Sequence, residues 1–245
     1  MIRVLVWNEY EHELSEERIA KVYPKGIHGA IAEFLGKEED IVVKTATLQD
    51  ENCGITKEIL DETDVLIWWG HMAHHKVPDE VAYLVKDAVL SGMGMIFLHS
   101  GHHSKPFRYL LGTSGNLCWR ESDDKAILWV VEPAHPITQG IDRCLVLEAE
   151  ETYGEPFVIP TPDKLLFITN YSGGEVFRSG CLWEKGNGKV FYFQPGHESY
   201  PIYYNTEVQK VIKNAVRFVN PIYRQEVTCP HVRNVGDPEG YIERL

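Results

Sequence analysis

The sequence is poor in positive charge: 24 Lys and Arg stand against 36 Asp and Glu over 245 residues, a formal net charge of -12. Capture of nucleic acid or of an anionic membrane surface rests on clustered Lys and Arg that displace counterions. Neither partner is expected, and a small neutral or cationic molecule fits better. No stretch approaches the roughly 20 apolar residues of a membrane helix. The opening "MIRVLVWNEYEHE" lacks the basic segment, long apolar core and small-residue cleavage site of a secretory signal. The five cysteines, Cys53, Cys118, Cys144, Cys181 and Cys229, are odd in number, widely spaced and without a CxxC pair, so a reduced, cytoplasmic chain is expected. There is no Walker A sequence and no GxGxxG after the first apolar run, where "VWNEYEHE" has the wrong residues for a pyrophosphate loop. A nucleotide cofactor is therefore not expected.

The hydrophobic fraction of 44% and charged fraction of 24% are those of an ordinary folded chain, long enough for one large α/β domain. Short apolar runs near residues 2–7, 40–45, 65–69 and 94–98 alternate with helical patterns. One of these is roughly Ile27 to Leu35, stopped by Gly36; another follows Pro78, with Val81, Leu84, Val85 and Val89 in helical spacing. "SEERIAKVYPK" reads as a loop. Alternation of this kind demands parallel strands joined by right-handed crossovers, a doubly wound sheet with helices on both faces. After Lys105 the pattern loosens. "AILWVVEP", "CLVLEAEETYG" and the segment from "LLFITNYSGG" to "VFYFQPG" read as strands with Gly-rich turns, hence antiparallel additions, and "NTEVQKVIKNAVRFV" reads as a closing helix. The expected organisation is one domain over residues 1–220 and a tail, 221–245, that packs over the surface or onto a second copy to form a homo-oligomer.

Ligands of open α/β sheets bind beyond the carboxyl ends of the strands, and three apolar runs end there in histidines. Val65–Trp69 leads into "GHMAHH" with His71, His74 and His75; Met95–Leu98 leads into "HSGHH" with His99, His102 and His103; and "KVFYFQPGHE" delivers His197 and Glu198. A lone loop histidine is usually a solvated or locally bonded side chain, but three such strand ends point to a shared site. Imidazoles can hold a divalent transition metal with a carboxylate, or exchange protons with a polar substrate near neutral pH. Spacing alone does not choose between them.

"LIWWGHMAHH", "IFLHSGHHSKPF", "AHPITQGI", "EETYGEPF", "GGEVFRSG" and "VFYFQPGHESYP", in that order, resemble the ThuA family, named for trehalose utilisation; the resemblance runs from Ile2 to about Pro221. It implies a class I glutamine amidotransferase-like, flavodoxin-like fold, mostly parallel, with a strand-to-helix elbow that in amidotransferases carries a nucleophilic cysteine. Here His99 stands at that position and no cysteine follows a buried strand, so glutaminase activity is not expected. "FYFQPGHES" still resembles the segment that presents the amidotransferase histidine, which implies His197 at the same edge.

The candidate site is therefore His99, Glu151 and Tyr153 for catalysis, and His71, His102 and His197 as ligands of a divalent metal, zinc or manganese. Glu150, Glu151 and Glu155 make an acidic cluster beside an aromatic in what reads as a loop, for which a solvated turn is the competing reading. Arg120 and Glu121 read as a local ion pair. Trp7, Trp68, Trp69, Trp119 and Trp183 could stack on sugar rings, although large aromatics near strand ends are more often core. His28 and His231 are expected to lie elsewhere. The resemblance supplies a carbohydrate substrate, trehalose or a related disaccharide or keto-sugar, and the residues supply acid–base or metal-assisted chemistry of an isomerase, lyase or hydrolase. A non-catalytic sugar-binding or regulatory module on the same fold is the alternative.

Overall fold

The computed structural model describes residues 1–226. Among them nine strands form one sheet: β1 (Ile2–Asn8), β2 (Ile41–Thr47), β3 (Val65–Trp69), β4 (Gly94–Leu98), β5 (Cys118–Val130), β6 (Cys144–Gly154), β7 (Lys164–Tyr171), β8 (Val176–Lys185) and β9 (Gly188–Phe193). Their order is β2-β1-β3-β4-β9-β8-β7-β5-β6. The first five in that order pair in parallel, the flavodoxin-type arrangement whose direction of winding reverses between β1 and β3. The remaining four join antiparallel, so the expected doubly wound core carries the expected antiparallel extension.

Burial explains the two central strands. Every residue of β3 and β4 is buried, because one helical layer, α3 (Gly26–Leu35) and α7 (Thr206–Val219), and another, α4 (Lys57–Asp61), α5 (Asp79–Leu90) and α6 (Lys105–Leu111), cover the parallel sheet. The apolar positions of α7, from Val208 through Val211, Ile212, Ala215 and Val216 to Val219, are all buried, as the period of a helix docked along one stripe requires. Trp7 and Trp68 are register partners on β1 and β3 and stack with centroids 3.7 Å apart.

Three local readings change. The segment read as a loop, Ser15–Lys25, contains the short helix α2 (Glu17–Val22), and another short helix, α1 (His12–Ser15), ends at its first residue. Strand β5 begins at Cys118, well before "AILWVVEP". "CLVLEAEETYG" is β6 as read, so the acids at its end stand on a strand and not in the loop expected for them. Of the tail, residues 221–226 lie along the amino-terminal edge of the sheet, where the Gln225 N–H donates to the Ser91 carbonyl at 2.9 Å and Arg224 Nη1 donates to the carbonyls of Leu60 and Thr63, each at 2.8 Å. The rest of the tail, with His231 and Cys229, lies outside the described residues.

The Trp7–Trp68 stack sits where the sheet changes direction, and Trp68 is fully buried. Trp68→Ala should cost about 3–5 kcal/mol, the range for truncating a buried aromatic. Urea unfolding measures it, and a loss below about 1 kcal/mol would show that the stack is dispensable to this core.

Candidate functional site

Four parallel strands and one antiparallel strand end at the same place. Beyond β1, the Glu9 carboxylate accepts the backbone N–H groups of His71 and Met72, each at 2.9 Å, and so fixes the turn that leaves β3. Beyond β4, His99 takes a left-handed backbone conformation, φ +50°, at the start of the turn His99–His103. A bulky residue there costs of order 1–3 kcal/mol and persists only where its surroundings fix it. Beyond β9, Gly196 has φ +141°; a Cβ on it would come within 1.9 Å of Tyr203 Oη, so the turn that presents His197 needs glycine. The end of β6 supplies Glu150, Glu151 and Tyr153, drawn onto this edge because Glu150 Oε2 accepts the Gly196 N–H at 2.9 Å and Oε1 accepts those of His197 and Glu151 at 3.2 and 2.9 Å.

Donor atoms of His71, His99, Glu151 and His197 lie within 4.8 Å of one another. His99 is the centre of this group. Its Nδ1–H donates to the Gln194 carbonyl at 3.1 Å, and its Nε2 faces Glu151 Oε2 at 3.1 Å and Tyr153 Oη at 3.4 Å; Tyr153 Oη also bonds Ser100 Oγ at 2.6 Å. The expected catalytic trio His99, Glu151 and Tyr153 is thus brought together. Burial works against a charged His99, yet the Glu151 hydrogen bond and the carboxylates of Glu151, Glu150 and Glu198 hold it above the ordinary imidazole value. Burial likewise works against an ionised Glu151, and the bond to His99 keeps it below the usual carboxylate range. The result is a buried ion pair. His197 is different: burial and the neighbouring His99 push it down to about 4.

A second group shares His71. His71 Nδ1 lies 3.0 Å from His12 Nε2 and 3.3 Å from Glu198 Oε1, and His12 Nε2 lies 3.6 Å from the same oxygen. His12 and Glu198 are buried, whereas the His71 side chain is 21% exposed and opens the cluster to the surface. His12 was hidden in the sequence, within a charged stretch that reads as solvated surface; its one signal is position, directly after the strand at which the winding reverses.

His102 does not join either group. Its Nδ1–H donates to the Gly115 carbonyl at 2.7 Å and its ring packs edge-on against Tyr153, Phe157 and Tyr192, so a buried carbonyl in need of a donor has claimed it for the core. In the metal-ligand set Glu151 and His99 replace it. His74 and His103 form a separate edge-to-face pair, centroids 6.3 Å apart. His28 stands behind the cluster with Nδ1 3.0 Å from Asn8 Nδ2. The acidic cluster is no solvated turn: Glu150 clamps the His197 turn, Glu151 faces His99, and Glu155 pairs with Arg178 at 2.7 Å. Arg120 pairs with Asp124 and Glu175 in place of Glu121. Trp7, Trp68, Trp69 and Trp183 are core, while Trp119 is 63% exposed and lies directly opposite Tyr153 on the neighbouring strand. Cavities of about 170 and 440 Å³ lie elsewhere, at the amino-terminal edge around Lys189, Pro221 and Ile222.

The elbow with histidine in the nucleophile's position matches the sequence evidence, in which residues 3–219 fit the ThuA family, described as trehalose utilisation. The chain belongs to the ThuA family. Membership points to a role related to trehalose utilisation. No curated protein matches the chain in sequence. Among solved structures, this ThuA chain is similar to a ThuA-like protein of Bacteroides uniformis, at 18% identity over 89% of this chain and 91% of that one, with a TM-score of 0.63. A ThuA-like protein of Parabacteroides merdae shares 14% identity over 94% and 93%, TM-score 0.62. A glutamine amidotransferase of Thermotoga maritima shares 11% over 89% and 97%, TM-score 0.55. The likeness establishes the amidotransferase-type fold of the ThuA chain; among the described residues Cys53, Cys118, Cys144 and Cys181 are free, and none stands at the elbow. Among the described residues no helix is long and apolar enough to cross a membrane.

Glu150 gives the site a measurable titration. Burial pushes its carboxyl up to about 7 from an ordinary 4.5, against His99 and the three backbone N–H donors that favour the charged form. The folded state therefore binds this proton more tightly than the unfolded chain, and the contribution of Glu150 to stability falls as pH rises from about 4.5 to about 7. Unfolding free energies of the protein and of Glu150→Gln, taken across that window, should show their difference falling with pH; a difference that rises or stays flat would contradict it.

Proposed function

We propose that the chain is an enzyme of carbohydrate breakdown that moves a proton on a keto derivative of trehalose or a related disaccharide. The observation that carries this reading is the buried ion pair at the elbow, His99 Nε2 to Glu151 Oε2 at 3.1 Å. A keto-sugar has an acidic C–H beside its carbonyl. Glu151, ionised, accepts that proton; His99, charged, donates its Nε2 proton to the carbonyl oxygen as negative charge develops there. Returning the proton from Glu151 to the other carbon isomerises the sugar; in an elimination the enol O–H proton goes back to His99 while the oxygen substituent on the next carbon leaves with the proton held by Glu151. Tyr153 Oη, tied to Ser100, stands 3.4 Å from the same imidazole nitrogen and orients it. Hydrolysis by paired carboxylates is the weaker reading, because both oxygens of Glu150 already accept backbone N–H groups. A divalent cation, zinc or manganese, belongs to the same reading: bound beside the pair it would polarise the substrate oxygen. The four free cysteines suit a cytoplasmic enzyme.

Proton NMR of native and keto-disaccharides in D2O tests the reaction. The protein should place deuterium at the carbon beside the carbonyl, and His99→Ala and Glu151→Gln should each slow that exchange by about 10²–10⁴-fold. Binding of the sugar with no exchange at all would instead assign the chain to the non-catalytic sugar-binding modules.

Trp119 supplies a flat, exposed face on the strand beside Tyr153. It is the one aromatic of the sequence set placed to stack on a sugar ring. Trp119→Ala should raise KM several-fold and leave kcat unchanged, the signature of lost uniform binding; a fall in kcat with unchanged KM would contradict the role.

A further inference from the structure

We propose that the cation of this site is held by His12, His71 and Glu198, and not by the four side chains gathered round His99. The inference rests on the proposed reading only for what the cation would act upon; the binding itself is argued from the groups behind each ring.

An imidazole nitrogen ligates a metal through its lone pair, and the second nitrogen then carries the proton. His197 Nδ1 accepts the Ser199 N–H at 3.2 Å, which leaves the proton of the neutral ring on Nε2, the atom that faces Glu198 at 3.6 Å. His197 therefore offers N–H where a ligand must offer a lone pair. His99 Nε2 lies against Glu151 Oε2 at 3.1 Å and Tyr153 Oη at 3.4 Å. One of the four is thus turned away from a metal and a second is already shared. The reverse holds for His12. Its Nδ1 faces the Glu16 carboxylate at 3.1 Å, an acceptor that draws the proton there and directs the Nε2 lone pair at His71. This is the carboxylate–histidine arrangement that supports metal-bound imidazoles.

Glu198 supplies the independent observation. Its side chain is 4% exposed. Its Oε2 has no hydrogen-bond partner among the described residues, and its Oε1 lies at 3.3, 3.6 and 3.6 Å from nitrogens of His71, His12 and His197. A buried carboxylate needs a cation or strong donors. The three edges of the triangle, 3.0, 3.3 and 3.6 Å, compare with ligand–ligand separations of roughly 2.9–3.4 Å around an ion bound at about 2.0–2.1 Å. Three protein ligands leave a position for water or a sugar oxygen, and His71, 21% exposed, is the member that reaches the surface.

Zinc loaded onto the chelator-treated full chain, counted by elemental analysis and titrated for affinity, tests the assignment without substrate. The wild-type protein should bind one zinc. His12→Gln and Glu198→Gln should each weaken it by more than about 100-fold, and Glu16→Gln by about 10–100-fold, the cost of losing an orienting partner. His99→Gln, with its metal-free thermal unfolding matched to wild type, should keep the ion. Loss of zinc from His99→Gln, retention by both His12→Gln and Glu198→Gln, or no zinc on the wild type would each overturn the assignment. Should His12→Gln fail to fold, Glu198→Gln tests the same triad alone. None of these results touches the deuterium exchange that tests the His99–Glu151 pair, so the two proposals fail separately.

Discussion

A carboxylate can be buried only with donors around it, and three of those buried at this sheet edge shape the site. Glu150 takes three backbone N–H groups, from Glu151, Gly196 and His197; Glu151 takes an imidazole; Glu198 lies among three imidazole nitrogens. These demands organise the site. Satisfying Glu150 draws the end of β6, from the far side of the sheet order, against the turn that follows β9. That movement delivers Glu151 and Tyr153 to His99. The antiparallel extension is therefore part of the site, because its last strand supplies the acids that the parallel core lacks.

Much of the core was legible. The runs at β3 and β4 are apolar at consecutive positions because both faces are covered, and a strand read as parallel places its carboxyl-terminal residues at the binding edge. His71 and His99 followed from that; His197 ends a run read among the antiparallel additions, which in the structure pairs in parallel with β4. Glu151 and Tyr153 do lie beside His99, but they were named from an acidic cluster read as a loop. Alternation of burial in β6 breaks down at its end, where Glu150 through Gly154 are all buried, and no pattern of period 2 announces a strand end enclosed on both sides. His12 was illegible because "EYEHE" has the composition of exposed surface, and only tertiary packing buries His12 and Glu13. His102 failed in the opposite sense: it sits in the right motif, but a carbonyl 13 residues on captures its ring.

The elbow shows how a fold is kept while its chemistry is replaced. Here the residue after β4, at a left-handed φ of +50°, presents an imidazole at the elbow where the resemblance to amidotransferases implies a nucleophilic cysteine. A thiolate in that place attacks a carbonyl carbon, whereas an imidazole beside Glu151 suits the proton transfer proposed above. Retaining a strained backbone at a residue with so large a side chain makes sense only if the direction in which the ring points matters, and it points at Glu151 with its other nitrogen fixed by the Gln194 carbonyl.

What stands behind each ring then divides the cluster into two halves of different chemistry. Behind His99 is a carbonyl, which can only accept, so Nδ1 carries a proton and Nε2 meets the carboxylate. Behind His197 is a backbone N–H, which can only donate, so the proton of the neutral ring is turned inward. Behind His12 is a carboxylate, and the lone pair is turned inward. Three histidines that look interchangeable in the sequence thus meet one small volume with a different group behind each ring. Burial amplifies the distinction, since in a low-dielectric setting each wrong tautomer would leave an unpaired polar group on both sides of the ring. The functional asymmetry of the site is consequently written in main-chain groups and acids that no histidine motif contains.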